Sequence, residues 1–331
     1  MSAPKVDEIK LNNGVKMPML GLGTFHAKAS PDLDEIEQAV YQAIQVGYRH
    51  FDCAYDYKNE QGIGRGFQRA FQDGIVTRQE LFVVSKVWLT FTRTDRVKLC
   101  LNKSLDRLKL NYLDLYLVHW PLCFKQVEDT HFPVGPDGQI AIDDSIDYLD
   151  TWKGMEQVYQ EGLVRAIGIC NFNSQQLDRL IKNNKVVPVM NQFESHPYLP
   201  QNELVDFCRE RNVAVTAYSP LGCPGMQTPG FIKPEHGTKK LMEDPVVKEI
   251  AAKHSRSTAQ VLLRYQIDRE IVVIPRTVFR NEMIDNLEIF QFKLDDDDLK
   301  RLNGLACGWR SMSLEYLGIN KTKDYPFNIP F

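Results

Sequence analysis

Leu81-Phe82-Val83-Val84-Ser85-Lys86, the helical pattern from Arg93 to Leu108, and Leu113-Asp114-Leu115-Tyr116-Leu117-Val118-His119 follow one another as a strand, a helix and a second strand. Both strand segments run nearly continuously apolar instead of alternating, which is what a strand buried on both faces of a parallel sheet requires. Working outward, runs of the same kind recur at Met19 to Gly23, Tyr48 to Asp52, Val164 to Cys170, Val186 to Gln192, Val213 to Ser219 and Ile271 to Pro275, making eight with the first two. Helical patterns separate them at Asp34 to Val46, Tyr148 to Glu161, Ser174 to Asn183, Gln201 to Arg211 and Thr258 to Asp268, with Ser174 and Ser257 read as caps. Ahead of the first run, Ile9-Lys10-Leu11 and Val15-Lys16-Met17 flank the turn-forming Asn12-Asn13-Gly14. Eight strand–helix units without a linker predict one α/β domain over residues 1–331, a closed (β/α)8 TIM barrel with an N-terminal β-hairpin. The competing open, doubly wound sheet calls for a Gly-x-Gly-x-x-Gly turn. Gly21-Leu22-Gly23 and Gly62-Ile63-Gly64 both leave it incomplete.

Composition narrows the function before any residue is chosen. The 331 residues carry 40 Lys+Arg against 43 Asp+Glu, a net charge of −3, so the basic excess of a nucleic-acid or membrane-surface binder is missing. No apolar run reaches the ~18 residues that span a bilayer, and the start MSAPKVDEIK has no apolar stretch after a basic one, so the expectation is a cytoplasmic protein. Seven cysteines at irregular intervals, without a Cys-x-x-Cys pair, argue against disulfides and zinc. Asp295 to Asp298 reads as the acidic first turn of a helix and not as a metal site.

Three stretches are too long to be simple joints: Trp120 to Ser145, Pro220 to Glu243, and the tail from Ala306 to Phe331. The first two follow the fourth and seventh barrel strands and therefore belong to the carboxyl face, where barrel enzymes keep their active sites. The aromatic tail is long enough to cover the same mouth. Polar residues that end the strands are Asp52, Lys86, His119, Asn171, Gln192, Ser219 and Arg276, with Tyr57 on the loop after Asp52. Singly, each has a structural explanation: Asp52 as a cap, Lys86 as its ion-pair partner, His119 as a core residue. Together, Asp52, Tyr57, Lys86 and His119 make a proton-transfer set, because an ammonium beside a phenol favours its anion and burying Lys and Asp is costly unless a site uses them. A metal site on Asp52 and His119 is the competing chemistry, with only one strand-end histidine to support it.

Gly47-Tyr48-Arg49-His50-Phe51-Asp52-Cys53-Ala54-Tyr55-Asp56-Tyr57-Lys58-Asn59-Glu60, Leu113 to Pro121, Gly168 to Asn173, Asn191-Gln192 and Ala217 to Gly222 resemble, in order, segments of the aldo-keto reductases. The resemblance runs from about Ile9 to Leu305, and its long motifs are far more specific than a glycine pattern. It implies a (β/α)8 barrel that binds NADPH without a Rossmann fold and reduces aldehydes or ketones to alcohols. By motif, Tyr57 is the general acid, Lys86 and Asp52 lower its pKa, and His119 directs the substrate oxygen. Also implied are cofactor contacts at Thr24, Asp52, Asn171, Gln192, Tyr218, Ser219, Leu221, Arg276, Thr277, Arg280, Asp285 and Asn286. A substrate wall of Phe25, Tyr55, Trp88, His119, Trp120 and Phe132 suits a bulky hydrophobic carbonyl. A faint likeness to insect reductases acting on 3-dehydroecdysteroids points the same way, and family members are mostly monomers.

Three departures from the family pattern bear on the cofactor. Cys170 stands where a serine usually bonds the carboxamide, and a thiol is a weak partner. Arg276 replaces the usual lysine, keeping the charge for a 2′-phosphate and adding a bidentate fork. Glu282 stands where an arginine commonly clamps that phosphate, leaving Arg280 to compensate. The alternative from another class is a non-catalytic nicotinamide-binding or crystallin-like protein on the same barrel.

Overall fold

The computed structural model describes residues 6–26, 30–127, 130–224, 240–329 and 331. A two-stranded antiparallel hairpin, β1 (Glu8–Lys10) and β2 (Lys16–Pro18), precedes eight parallel strands. These are β3 (Leu22–Gly23), β4 (His50–Asp52), β5 (Phe82–Val87), β6 (Leu115–Val118), β7 (Ile167–Cys170), β8 (Met190–Glu194), β9 (Ala214–Tyr218) and β10 (Val272–Val273), each paired with the next in chain order. The sheet closes on itself where Leu20 bridges Val273 in parallel: Gly21 N donates to Val273 O at 2.9 Å, Val273 N to Met19 O at 2.9 Å, and Gly23 N to Pro275 O at 3.0 Å. All eight sequence-read strands are therefore present. The hydrogen-bonded ladders are shorter than the apolar runs, because the residues flanking each ladder lead into or out of the barrel without pairing across it.

The helices α1 (Leu33–Val46), α2 (Glu60–Gln72), α3 (Thr94–Leu108), α4 (Tyr148–Gln160), α5 (Ser174–Asn183) and α6 (Asn202–Glu210) fill successive crossovers. α7 (Pro245–His254) and α8 (Thr258–Asp268) both lie between β9 and β10, and α9 (Arg280–Leu287) and α10 (Asp296–Asn303) follow. The cap expected at Ser257 is present, its hydroxyl accepting Gln260 N at 3.1 Å. At α5 the expectation is off by one: Asn173 is the cap and exchanges bonds with Gln176, while the Ser174 hydroxyl donates to Phe331 O at 2.7 Å. Asp295 caps α10 reciprocally with Asp298, as an acidic first turn should.

Strand alternation sorts the core into two shells. On β5, Val83 and Val87 face outward into the large cluster shared with the helices, whereas Phe82 and Val84 face the barrel interior beside Leu115, Leu117, Met190 and Val272. Leu11 and Met17 of the hairpin join that interior cluster and close the amino-terminal end of the barrel. One inward step above Val84 on the same strand comes Lys86, so the apolar filling gives way to polar groups at the carboxyl end. Among the described residues no helix is long and apolar enough to cross a membrane.

The seam where β3 meets β10 has no spare room: a Cβ on Gly23 would lie 2.5 Å from Ile274 O. Gly23→Ala should lower stability by about 1–3 kcal/mol, the usual range for overpacking, read as a fall in the urea midpoint. An unchanged midpoint would mean that the seam yields.

Candidate active site

At the carboxyl end the strands surround a cavity of about 610 Å³ whose described lining includes Thr24, Asp52, Tyr57, Trp88, His119, Asn171, Gln192, Tyr218 and Arg276. β4 ends on Asp52 and β5 carries Lys86, neighbours across one strand pair. Lys86 Nζ is 2.5 Å from Asp52 Oδ1, 2.9 Å from Cys53 O and 3.3 Å from the Tyr57 hydroxyl, so its three donor directions are all taken. The 3-10 turn Tyr55–Tyr57 brings the phenol back over the strand end. On the far side Gln192 Nε2 donates to Asp52 Oδ2 at 2.8 Å, and the Thr24 hydroxyl donates to Asp52 O at 2.8 Å. Asp52 thus holds β3, β5 and β8 to one point.

Burial and charge set the protonation states. Burial works against the charge on Lys86, but Asp52 and then Tyr57 outweigh it and hold the pKa above the ordinary lysine value. His119 is pushed well below its ordinary value, first by burial and then by the Lys86 charge, so its ring is neutral. Tyr57 departs from the expectation of a lowered pKa: burial raises it, Lys86 pulls it down, and Asp52 pushes it up again, leaving it raised. The reason is that the same apolar walls that shape the cavity desolvate a phenolate. A phenol that keeps its proton at neutral pH, hydrogen-bonded to an ammonium, is a proton donor.

The His119 ring packs edge-on against Tyr57 at 5.8 Å and Trp88 at 5.4 Å, and its Nδ1 has no hydrogen-bond partner among the described residues. Beside it, Asn171 Nδ2 donates to His119 O at 3.1 Å while Asn171 Oδ1 accepts from the Tyr218 hydroxyl at 2.8 Å. Asn171 and Ser219 both hold left-handed backbone, with φ of 62° and 50°. Cys170 reaches the two amides at thiol distances, 3.3 Å from Asn171 Nδ2 and 3.8 Å from Gln192 Oε1.

The cofactor set divides. Thr24, Asp52, Asn171, Gln192, Tyr218, Ser219, Leu221 and Arg276 line the cavity, whereas Thr277, Arg280, Asp285 and Asn286 lie beyond it on the segment leading into α9 and on α9 itself. There the Thr277 hydroxyl donates to Glu282 Oε2 at 2.5 Å and accepts from Phe279 N at 3.0 Å. The carboxylate at position 282 is therefore occupied by a neutral hydroxyl.

Of the substrate set, Phe25, Trp88, His119, Trp120 and Phe132 line the cavity and Tyr55 does not. Tyr55 lies behind the wall, stacked on His131 at 5.0 Å with the Arg107 guanidinium 4.4 Å above its ring. Asp56, Met312, Leu314 and Tyr316 also line the cavity; Tyr316 is one of the aromatic residues of the tail expected to cover the mouth, and the sequence singles out none of the other three. For Met312 and Leu314 the aromatic tail is the available signal. Asp56 Oδ1 lies 2.8 Å from His131 Nδ1, and His131 O accepts from Trp88 Nε1 at 2.7 Å, which fixes the Trp88 ring from the long loop after β6. Of the loop Pro220 to Glu243, residues 225–239 lie outside the described residues. No group of three or more metal-ligating side chains occurs among the described residues.

A model of the aldo/keto reductase family matches residues 19–306. The chain belongs to this family. Aldo-keto reductase family 1 member A1 of Gallus gallus is 41% identical over 334 residues, covering 98% of each chain. The Homo sapiens protein of the same name is 41% identical over 331 residues, again with 98% of each covered. The aldose reductase of Schistosoma japonicum superposes with a TM-score of 0.88 at 35% identity, and a Bombyx mori aldo-keto reductase in complex with NADP with 0.86 at 37%. Each comparison covers 98% of this aldo-keto reductase and 100% of the other chain.

A neutral His119 has a direct spectroscopic signature. In histidine-labelled NMR its ring resonances should not shift between about pH 8 and pH 5, a range in which an ordinary imidazole titrates. A midpoint near 6.5 would mean that the ring takes up protons freely and is not desolvated.

Proposed function

We propose that this aldo-keto reductase reduces aldehydes and ketones to alcohols with NADPH, and that Tyr57 delivers the proton. The observation that carries the reading is the chain Tyr57 hydroxyl, Lys86 Nζ and Asp52 Oδ1, closed by hydrogen bonds at the base of an apolar-walled cavity. The donor set fits a nicotinamide dinucleotide. Asn171 and Gln192 bring amide groups, and Tyr218 an aromatic ring, to the cavity that Tyr57 lines, and Arg276 adds an exposed cation to the same lining. Arg276 makes no ion pair among the described residues, which leaves its fork available to a phosphate.

When bound, the dihydronicotinamide supplies the hydride. A carbonyl oxygen placed between the Tyr57 hydroxyl and the neutral His119 ring is polarised by both groups. As negative charge develops on that oxygen, Tyr57 gives up its proton, and the fixed Lys86 ammonium stabilises the phenolate left behind. Asp52 keeps Lys86 charged and aimed, while Trp88, Trp120 and Phe132 exclude water from the reacting carbon. We infer a bulky hydrophobic, steroid-like carbonyl because Phe25, Trp88, Trp120, Phe132, Met312 and Leu314 give the cavity a large apolar wall, with His26, Asp56 and Lys58 as polar groups on the same lining. We infer that the protein acts in the cytoplasm as a monomer through one barrel domain, without nucleic-acid or membrane partners; its balanced charge supports the lack of a nucleic-acid partner.

Tyr57→Phe should cut carbonyl reduction by about 10²–10⁴-fold, the range for a positioned general acid, with NADPH affinity nearly unchanged. Full turnover in that variant would remove Tyr57 from the mechanism, and wild-type protein that binds NADPH yet reduces none of a panel of aldehydes, quinones and ketosteroids would favour the non-catalytic alternative. For the cofactor, Arg276→Ala should weaken NADPH binding by about tenfold or more, as expected for a lost charge-assisted bond, and leave NADH binding nearly as it was. Tryptophan-fluorescence titration reads both, and an equal loss for the two cofactors would show that Arg276 does not recognise the 2′-phosphate.

A further inference from the structure

Glu194 ends β8 two residues beyond Gln192 and on the same inward face, wholly buried, yet it takes no part in the chemistry above. A buried carboxylate is costly unless hydrogen bonds saturate it. Here they come from a segment 117 residues away: Ser311 N donates to Oε1 at 2.8 Å and to Oε2 at 3.1 Å, the Ser311 hydroxyl to Oε1 at 2.6 Å, and Met312 N to Oε2 at 2.9 Å. His196 Nε2 adds a contact at 3.0 Å, and Trp309 packs on the His196 ring at 5.5 Å. The Ser311 hydroxyl also lies 3.1 Å from Cys223 Sγ, which is 2.9 Å from the Ser219 hydroxyl at the cavity edge.

Beyond α10 the described tail has only two short 3-10 turns, Glu315–Leu317 and Ile319–Lys321, so its path is set by anchors and not by secondary structure of its own. One anchor is the start of α5, where Asn173 and Gln176 bond Pro326 O at 3.0 Å and Asp324 O at 2.8 Å. Another is Glu194, and Cys307 N and Lys323 Nζ add bonds to Tyr198 O at 3.1 Å and Asp144 O at 2.9 Å. Between the Glu194 and α5 anchors Met312, Leu314 and Tyr316 face the cavity.

We propose that Glu194 is a positioning residue for specificity: its carboxylate pins Ser311 and Met312 so that Met312, Leu314 and Tyr316 form a fixed wall for bulky substrates. Through Ser311 and Cys223 the same pin steadies Ser219 on the cofactor side. The inference rests on the carbonyl-reductase reading above. Glu194→Gln turns one acceptor into a donor that faces main-chain N–H groups. Ser311→Ala removes one bond to Glu194 and the contact to Cys223 while leaving the amide bonds in place.

The test compares KM and kcat for a small aldehyde and a bulky aryl ketone, with the rate of iodoacetamide labelling at Cys223 followed by mass spectrometry in a Cys307→Ser background. Glu194→Gln should raise KM for the bulky ketone by about tenfold or more, the scale of a buried polar group left mispaired, move KM for the small aldehyde much less, and speed labelling of Cys223. Ser311→Ala should shift all three in the same direction by less, and it decides the matter if circular dichroism shows that Glu194→Gln does not fold. Equal KM changes for both substrates, or unchanged KM and labelling, would overturn the proposal. If the wild type reduces neither substrate, the carbonyl-reductase reading fails, and Cys223 labelling still reports on the pin.

Discussion

Lys86 keeps an ammonium charge inside an eight-stranded barrel, where burial alone would strip it, because Asp52 sits 2.5 Å away. That attraction is available only in one register. β4 and β5 pair so that Asp52 lies opposite Val84, which puts Lys86 one inward step higher and within reach of both the carboxylate and the Tyr57 turn. A slip of one residue would turn Lys86 outward among the helices, where it would meet the apolar cluster of Val83 and Val87. Gln192 and Thr24 then bring β8 and β3 to the same carboxylate. The ion pair therefore lies where the architecture and the proton-transfer site coincide, and removing either partner would leave an uncompensated charge in the core.

The sequence makes the barrel legible because a strand buried on both faces can hardly be written in polar residues. Leu81 to Lys86 and Leu113 to His119 show this, and so do the six other runs. Residues that end such runs are visible for the same reason, so Asp52, Lys86, His119, Asn171 and Gln192 stand out in the sequence itself. What depends on local geometry is harder to read. Asn173 and Ser174 are both good caps, and only the backbone decides that Asn173 holds the position. Tyr55 and Tyr57 are two residues apart on a tight turn, so one enters the cavity and the other goes behind its wall. The raised pKa of Tyr57 follows from walls assembled out of distant loops, which local charge counting does not include. The union of Glu194 with Ser311 spans 117 positions and has no periodic trace at all.

Position 282 shows how a substitution against the family pattern is absorbed. A carboxylate near Arg276 and Arg280 looks like a local contradiction when read as a string of charges. In the fold Thr277, at the end of β10's extension, donates its hydroxyl to the exposed Glu282, and no ion pair joins Glu282 to an arginine among the described residues. Cys170 is accommodated differently. Its thiol stays within contact of both neighbouring amides, and the stronger bonds around it, Gln192 to Asp52 and Tyr218 to Asn171, do the orienting.

The hairpin that opens the chain has a role beyond filling space. Leu11 and Met17 pack with Phe82, Val84 and Leu117 at the barrel floor, so the filling beneath the ion pair is apolar. The floor acts as an insulator. Beneath the Lys86–Asp52 pair the filling is apolar, and the polar side chains and the open cavity lie on the side where a reacting oxygen can be placed. A small ribbon far from the chemistry thereby keeps one side of the buried pair apolar.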